Sequence, residues 1–385
     1  MKKCTILIGM LLLFITGIMA QEVYVTVQFS SQQGTQATAE ADIDAACTTI
    51  GKTAADITHL TVTGDVEIGI NHCLAVRTKL VNVKTMDFSG ARFANGRIPP
   101  QGSGGVFNSM VVEKVILPND ITEIGDRAFR LCKKLKEINL SDGITKLGTG
   151  SFADCQVLEL PRLPAALTTM GTHVFQRNKK LVLSSLPWGI TPSIGSYCFD
   201  STKVTFKDIP AGVNTIGSGA FRGSDISEIS FPSLIQQIGS QAFADCASLT
   251  TLIFKDYAPP AVDVSESNHT FKNLDLSTIS VQVPNAEAVA TFNVAPWNLM
   301  KQIGVTSVHG LSKPMFKLYP AVTSYQIRLN DVEESGVGVI YNSNGVAVQT
   351  IRVENGETYT IPVKHFPSGL YLVKIGNGTH RFIKQ

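Results

Sequence analysis

The sequence predicts a mostly β chain with short helical turns: a solenoid of short stacked coils, followed by a small antiparallel β-sandwich. Three observations carry this. Phe107, Phe129, Phe152, Phe175, Phe199, Phe221 and Phe243 recur at intervals of 22, 23, 23, 24, 22 and 22 residues, and a fixed period of this size marks one supersecondary unit per repeat. Six of these phenylalanines close a local motif, Ile-Gly-x-x-Ala-Phe or a close variant. Past residue 314 the pattern changes to short strand-like runs around Asn344-Gly345, Asn355-Gly356 and Asn377-Gly378.

The motif reads Ile124-Gly125-Asp126-Arg127-Ala128-Phe129. It returns from Leu147-Gly148 to Phe152, Met170-Gly171 to Phe175, Ile194-Gly195 to Phe199, Ile216-Gly217 to Phe221 and Ile238-Gly239 to Phe243. Three residues ahead of most of these Ile-type positions stands a second apolar residue: Ile121, Ile144, Leu167, Val213 or Ile235. Five or six residues beyond the phenylalanine a strand-like pattern starts. Val112-x-x-Val115-x-Leu117, Leu135-x-x-Ile138-x-Leu140, Ile226-x-x-Ile229-x-Phe231 and Leu249-x-x-Leu252-x-Phe254 are the clearest cases. Pro118, Pro164, Pro187, Pro210 and Pro232 close strands, because proline has no N–H to continue a ladder.

A coil with one short strand and one compact turn cannot bury its apolar side alone. Stacking is therefore expected to align the Phe, Ile and Leu columns into one continuous core. The glycine after each Ile-type residue is expected at a bend that needs φ > 0 or a close backbone approach. A run of amphipathic helices does not account for the ladder, since glycine and proline recur too often and no 3.6-residue period persists.

These residues resemble the BspA-type leucine-rich repeat family of bacterial surface proteins over residues 101–258. The resemblance implies a leucine-rich-repeat solenoid, and with it binding to host matrix proteins, host cells or other bacteria. The coil ending at Phe199 departs from the pattern: Ser184 stands where a strand apolar residue is expected, and one residue is inserted. Pro161 and Lys207 also occupy expected core columns, so these coils are expected to be locally irregular.

Residues 1–20 read as a signal peptide: Lys2 and Lys3, an apolar run over 6–15, then Ala20 before Gln21. The run is too short to favour a permanent span. Cys4 lies in the basic region and no lipobox-like cysteine follows, so no lipid anchor is expected. Removing Lys2 and Lys3 leaves 31 basic residues against 31 acidic ones, which disfavours nucleic acid or an anionic membrane held by bulk charge. Residues 21–100 lack the repeat and read as an N-terminal cap, with a strand at 23–27, helical character over 40–51, and degenerate coil strands at 60–64 and 86–90. Residues 259–305 read as the opposite cap, with a final strand at 279–284, a helix at 286–292 and Trp297 as a core residue. Residues 306–314 read as a linker.

Six cysteines remain after processing. Cys132, Cys155 and Cys246 lie three residues past the repeat phenylalanine, in a column shared with Met110, Asn178, Thr202 and Ser224. An inward-facing turn position suits a buried thiol there. A Cys132–Cys155 disulfide is geometrically open, with adjacent coils about 5 Å apart, and so is a Cys47–Cys73 pair. The absence of Cys-x-x-Cys leaves a redox or zinc reading without support.

Residues 315–385 read as a small β-sandwich. Strand-like runs at 337–341, 346–352, 359–363, 370–375 and 380–383 flank the Asn-Gly pairs, which favour type I′ hairpin turns. Val339-Ile340-Tyr341-Asn342, the run from Ser368 to Lys374, and Arg381-Phe382-Ile383-Lys384 resemble the C-terminal sorting domain of the type IX secretion system. That resemblance implies recognition by the secretion machinery, export across the outer membrane of a Bacteroidota-type Gram-negative cell, and attachment or release at the surface.

The search for catalytic chemistry finds no motif. No two of the seven histidines fall within five residues of each other, so helix-borne metal pairs are absent and solvent or loop positions are expected. Asp42-x-Asp44 lacks the rest of a calcium loop and reads as charge at a helix start. Gly102-Ser103-Gly104-Gly105 has no following lysine to make a phosphate loop, and there is no Gly-x-Ser-x-Gly elbow. No enzyme, cofactor or metal site is expected.

The expected working part is a surface. In stacked coils, the strand residues between apolar positions face outward on one parallel sheet. Here these are Glu113, Lys114, Ile116, Lys136, Glu137, Asn139, Ser227, Glu228, Ser230, Thr250, Thr251 and Ile253. Their mixture of charge, hydroxyl and apolar area suits a protein partner on a host or bacterial surface. The rival expectation is a carbohydrate-binding protein using Trp188, Tyr197 or Tyr257 as a platform.

Overall fold

The computed structural model describes residues 21–102, 104–256, 258–305, 316–319, 322–330, 332, 335–342, 347–375 and 378–385. The signal peptide, the linker, Ser103, Tyr257, His309, Asn344-Gly345 and Asn377 lie outside them. The chain divides into two compact units that part between Thr306 and Ser307.

In the first unit most coils carry two short parallel strands rather than one. The expected ladder holds Tyr24–Val27, His59–Ile68, Thr85–Phe93, Lys114–Ile116 and Glu137–Ile138 in one sheet. Glu228–Phe231, Thr251–Phe254, Ser280–Val283 and Gln302–Val305 form another. A second ladder, absent from the sequence reading, runs through the Ile-type position. It joins Arg97–Ile98, Glu123–Ile124, Lys146–Leu147 and Thr169–Met170, then restarts with Ser193–Ile194, Thr215–Ile216, Gln237–Ile238 and Ala261–Val262. The restart coincides with the coil carrying the inserted residue, where Ile190 is fully buried four residues before Ile194 instead of three.

The phenylalanines form one continuous spine. Rings from Phe107 to Phe129, Phe152, Phe175, Phe199, Phe221 and Phe243 follow each other at centroid distances of 5.4, 5.6, 5.7, 5.7, 5.9 and 5.4 Å. All seven are 0% exposed. Offset aromatic pairs at this range add about 0.5–1.5 kcal/mol each beyond their buried area. The spine extends past its visible period, to Phe88 at one end and through Phe271 to Trp297 at the other. Phe271 escaped the sequence reading because it follows Phe243 by 28 residues. Residues 259–283 accordingly build a further coil, before the helix Ala286–Thr291 and the buried Trp297.

The motif glycines work through close approach, not through positive φ. A Cβ on Gly125, Gly148, Gly171, Gly195, Gly217 or Gly239 would lie 2.3–2.6 Å from atoms of the preceding coil, most of them backbone. None of these six glycines has positive φ; the left-handed residues instead lie two positions before and two after the phenylalanine. Arg127, Gly150, His173, Tyr197, Gly219 and Gln241 fill the first column, and Leu131, Asp154, Arg177, Ser201, Gly223 and Asp245 the second. This geometry turns alternate N–H groups toward the next coil: Arg127, Phe129 and Leu131 donate to the carbonyls of Thr149, Ser151 and Ala153 at 2.8 Å, while Ala128 and Arg130 donate within the turn. A non-glycine residue in this conformation costs roughly 1–2 kcal/mol, which the intercoil bond and the buried ring offset.

At the N-terminal end two helices, Gln36–Thr49 and Ile70–Lys79, pack beside the first strands. Thr35 caps the first helix by accepting from Thr38 N. Asp42 and Asp44 therefore lie in mid-helix, not at its start: Asp42 accepts from Ser30, and Asp44 pairs with Lys79 at 2.7 Å. The cysteine column is inward, as expected. All six described cysteines are free and buried, so neither the Cys132–Cys155 nor the Cys47–Cys73 disulfide is present. Cys132 and Cys155 instead donate to the carbonyls of Phe107 and Phe129.

The second unit is a β-sandwich. Lys317–Tyr319, Gln326–Asn330 and Tyr359–Pro362 make one antiparallel sheet. Val322–Thr323, Gly378–Lys384, Gly369–Ile375, Gly336–Asn342 and Ala347–Val353 make the other, in that order. Its core includes Phe316, Ile327, Leu329, Ile340, Val373 and Phe382. The Asn355-Gly356 turn differs from expectation. It does not close a hairpin, because the strands on either side of it belong to different sheets. Gly356 takes φ +82 there and donates to the Val332 carbonyl at 2.7 Å.

Two predictions follow from this packing. Gly148→Ala, which places a methyl 2.6 Å from Asp126 N, should lower stability by about 1–3 kcal/mol. Gly143→Ala, with its nearest contact at 3.9 Å, should change the denaturation midpoint little. The buried His72 accepts from Gly69 N on Nδ1 and faces the Ser31 carbonyl through Nε2; burial holds its pKa below the usual 6.5. As pH falls below about 6.5 the unfolded chain takes up a proton that folded His72 resists, so stability should decline. His72→Gln should flatten part of that decline in urea midpoints measured between pH 7 and 5.

Candidate interaction surface

The twelve outward strand residues do not share one continuous sheet. Glu113, Lys114, Ile116, Lys136, Glu137 and Asn139 lie on or beside the first parallel sheet, and Ser227, Glu228, Ser230, Thr250, Thr251 and Ile253 on or beside the second. Between them, the coils of Leu158, Leu181 and Val204 have no regular strand, although single bonds such as Lys203 N to the Leu181 carbonyl, at 3.0 Å, still bridge them. Pro161 and Ser184 fall in this gap, where a missing donor and a polar side chain interrupt the ladder.

Within each block the residues are not equally free. Ser230 is 7% exposed, so it is not the accessible surface residue expected. Its backbone is bridged in parallel to the neighbouring coil, with Ser230 N donating to the Lys207 carbonyl and Ile209 N to that of Ser230. Asn139 spends its amide on Leu117, accepting from its N at 2.6 Å and donating to its carbonyl at 2.9 Å. Lys114 pairs with Glu137 at 3.1 Å, and Glu228 with Lys207 at 3.6 Å. Ile116, Thr251 and Ile253 are half-buried, while Glu113, Lys136, Ser227 and Thr250 are exposed.

The opposite flank of the coil, at the spine turns, carries charge clamps that the sequence reading missed. Asp154, 5% exposed, accepts from Arg177 Nε and NH2 at 2.6 and 2.7 Å. Asp200, fully buried, accepts from Arg222 Nε and NH2 at 3.0 Å and from Gln176 Nε2 at 2.9 Å. Each pair spans neighbouring coils, so its only sequence signal was a carboxylate and an arginine one period apart. Tyr197, a proposed sugar platform, is stacked on His173 at 5.1 Å with the Arg222 guanidinium 5.4 Å from its ring. Trp188 is 71% exposed.

No chemical centre assembles among the described residues. They hold no group of three or more His, Cys, Asp or Glu side chains placed to bind a metal. Burial pushes the Cys132 and Cys198 thiols up to about 12 and raises Cys155 and Cys246, so none is a thiolate nucleophile at neutral pH. His72 is buried and bonded rather than solvent-facing. No described helix is long and apolar enough to cross a membrane.

Comparison with known proteins agrees with this architecture. Residues 103–224 and 192–288 match the BspA type leucine rich repeat region, in six copies. Residues 317–385 match the secretion system C-terminal sorting domain. Among solved structures, the chain is similar to a leucine-rich repeat protein from Bacteroides ovatus ATCC 8483, at 20% identity over 66% of this chain and 64% of that one, with a TM-score of 0.41. It is also similar to a leucine rich cell surface protein from Faecalibacterium prausnitzii A2-165, at 19% identity over 64% and 65%, with a TM-score of 0.38. A third is the T. pallidum leucine rich repeat protein, at 24% identity over 44% and 80%, with a TM-score of 0.35. The chain spans under two thirds of the first two. No curated protein matches it. The repeats are BspA-type, and the match to a sorting domain implies secretion to the surface of a Bacteroidota-type Gram-negative cell.

The clamps give a direct test of intercoil cohesion. Asp200→Asn should cost about 3 kcal/mol, the low end for breaking a buried pair, because Arg222 keeps a third of its side chain in water. Asp142→Asn, which breaks an exposed pair with Arg162, should shift the denaturation midpoint much less.

Proposed function

We propose that this chain is a surface-displayed repeat protein that mediates protein–protein adhesion through the strand flank of its solenoid. The observation that supports it most is the exposure of Glu113, Lys136, Ser227 and Thr250, each directly before a strand of the parallel ladders, with no metal-binding cluster among the described residues. Such a flank binds through several modest contacts spread over area, not through one deep pocket. We read the layout as a signal peptide at 1–20, a cap at 21–100, repeats at 101–258, a second cap at 259–305, a linker at 306–314 and a sorting domain at 315–385. No enzymatic activity is part of this reading.

A carbohydrate reading retains one supporting feature, the exposed Trp188. Tyr197 is engaged by its neighbours, so no second free ring stands near it among the described residues to form a platform.

The two blocks can be told apart by charge reversal. The secreted chain is used to capture protein partners from host and bacterial surface extracts, which are identified by mass spectrometry and purified for affinity measurement. Lys136→Glu or Glu228→Lys should weaken binding about tenfold, near 1.4 kcal/mol, for whichever block makes the contact. Unchanged affinity in both variants places the binding face elsewhere and defeats this assignment.

A further inference from the structure

We infer that two lysine-bearing turns beside the strand flank form a binding site for a linear sulfated polysaccharide. Four coils repeat one tight turn, closed by the N–H of Leu135, Leu158, Leu181 and Leu249 donating to the carbonyls of Cys132, Cys155, Asn178 and Cys246 at 2.9–3.0 Å. The flanking residues of each turn are buried, so its two middle residues are turned toward water. In two of the four turns both middle residues are lysine: Lys133-Lys134 and Lys179-Lys180, all exposed. The turn between them presents Gln156 and Val157.

What sets these lysines apart is their pairing within one turn: Lys52, Lys84, Lys136, Lys272 and Lys301 are also without an ion pair among the described residues but stand singly, and six others along the solenoid are ion-paired. Lys79, Lys114, Lys146, Lys203, Lys207 and Lys255 each have a carboxylate within 3.7 Å. Lys133, Lys134, Lys179 and Lys180 have no ion-pair partner among the described residues. Asp154, close in sequence to the intervening turn, is held by Arg177 and does not neutralise them. Glu159, just past the intervening turn, is an exposed carboxylate. The lysine pairs stand two coils apart, about 10 Å at the spacing of adjacent strands. A neutral chain can carry such a patch because charges separated by more than about 8 Å are screened from one another at physiological salt.

The ligand class follows from what accompanies the charge. Lysines are compact point charges without the planar fork of arginine, and suit ionic groups spaced along a flexible polymer. The three turns hold no aromatic side chain, so there is no platform on which nucleic acid bases would stack. They also lack the apolar face that an interfacial membrane site needs. A polyanion without bases or acyl chains, and with charges repeating along its length, meets these conditions. The two turns do not include Lys136 or Glu228, although Lys136 follows the first turn directly; the double substitutions below leave both strand-flank residues unchanged.

Heparin serves as the probe, with the full secreted chain. Binding is measured by titration over a range of salt concentrations, beside hyaluronan, duplex DNA and anionic phospholipid vesicles. Lys134→Glu with Lys180→Glu should reduce heparin affinity at least tenfold and lower the slope of log affinity against log salt by about two, near one per lysine. The milder Lys133→Gln with Lys179→Gln should weaken binding in the same direction, and both should keep the wild-type unfolding midpoint. The charge-matched control Lys52→Glu with Lys301→Glu should retain affinity. Wild-type binding by both lysine variants, an equal loss in the control, or DNA or vesicle binding through these lysines without heparin binding would each overturn the assignment.

Discussion

The solenoid depends on how closely one coil can lie on the next. At the motif glycine, backbone meets backbone with no room for a Cβ, 2.3–2.6 Å from where that atom would stand. That contact fixes the local pitch. The phenylalanine four residues later is carried to the same pitch, and ring follows ring at 5.4–5.9 Å. A side chain at the glycine would separate the coils, lengthen the intercoil bonds at Arg127, Phe129 and Leu131, and open the spine together. The core is thus set by an absence of side chain as much as by the rings themselves.

A second consequence concerns backbone polarity. In a parallel strand the N–H and C=O groups point to both sides, and their dipoles largely cancel. At the spine turn they do not. The left-handed residues two positions either side of each phenylalanine turn alternate N–H groups of that segment toward the following coil. Their dipoles therefore add along the solenoid, through the same summation that gives a helix its polarity. Carboxylates at these turns accept from outside the segment: Asp154 from Arg177, and Asp200 from Arg222 and Gln176. Charge that is buried between coils is in this way paired across them, where removing either partner would leave the other stranded.

The fold was legible in the sequence wherever one residue type had one cause. A buried ring every 22–24 residues has no other common source than stacking, and the alternating pattern after residue 314 led directly to the sandwich. Open alternatives and misreadings arose where one residue type has two causes. Glycine serves both positive φ and close approach, and the motif glycines serve only the second. Asn-Gly serves both a hairpin and a crossing between sheets, and Asn355-Gly356 serves the crossing. Ser230 alternates correctly along its strand yet is only 7% exposed, which no local pattern records. The second ladder stayed hidden because strands of two residues leave too short a period to detect.

The same separation of causes explains why the surface was harder to read than the core. Columns facing the spine are constrained by every neighbour, so Phe, Gly and Ile recur. Columns facing water are constrained by none, and each coil can place a different residue at an identical backbone position. The tight turn after the spine shows this. One hydrogen bond fixes four copies, and their middle positions hold Lys-Lys, Gln-Val, Lys-Lys and Ala-Ser. Variation on a fixed frame is what allows a solenoid to acquire a charged site without altering its fold. The departure from randomness at those positions, two unpaired lysine pairs in register, is the kind of signal that only becomes visible once the coils are superimposed in space.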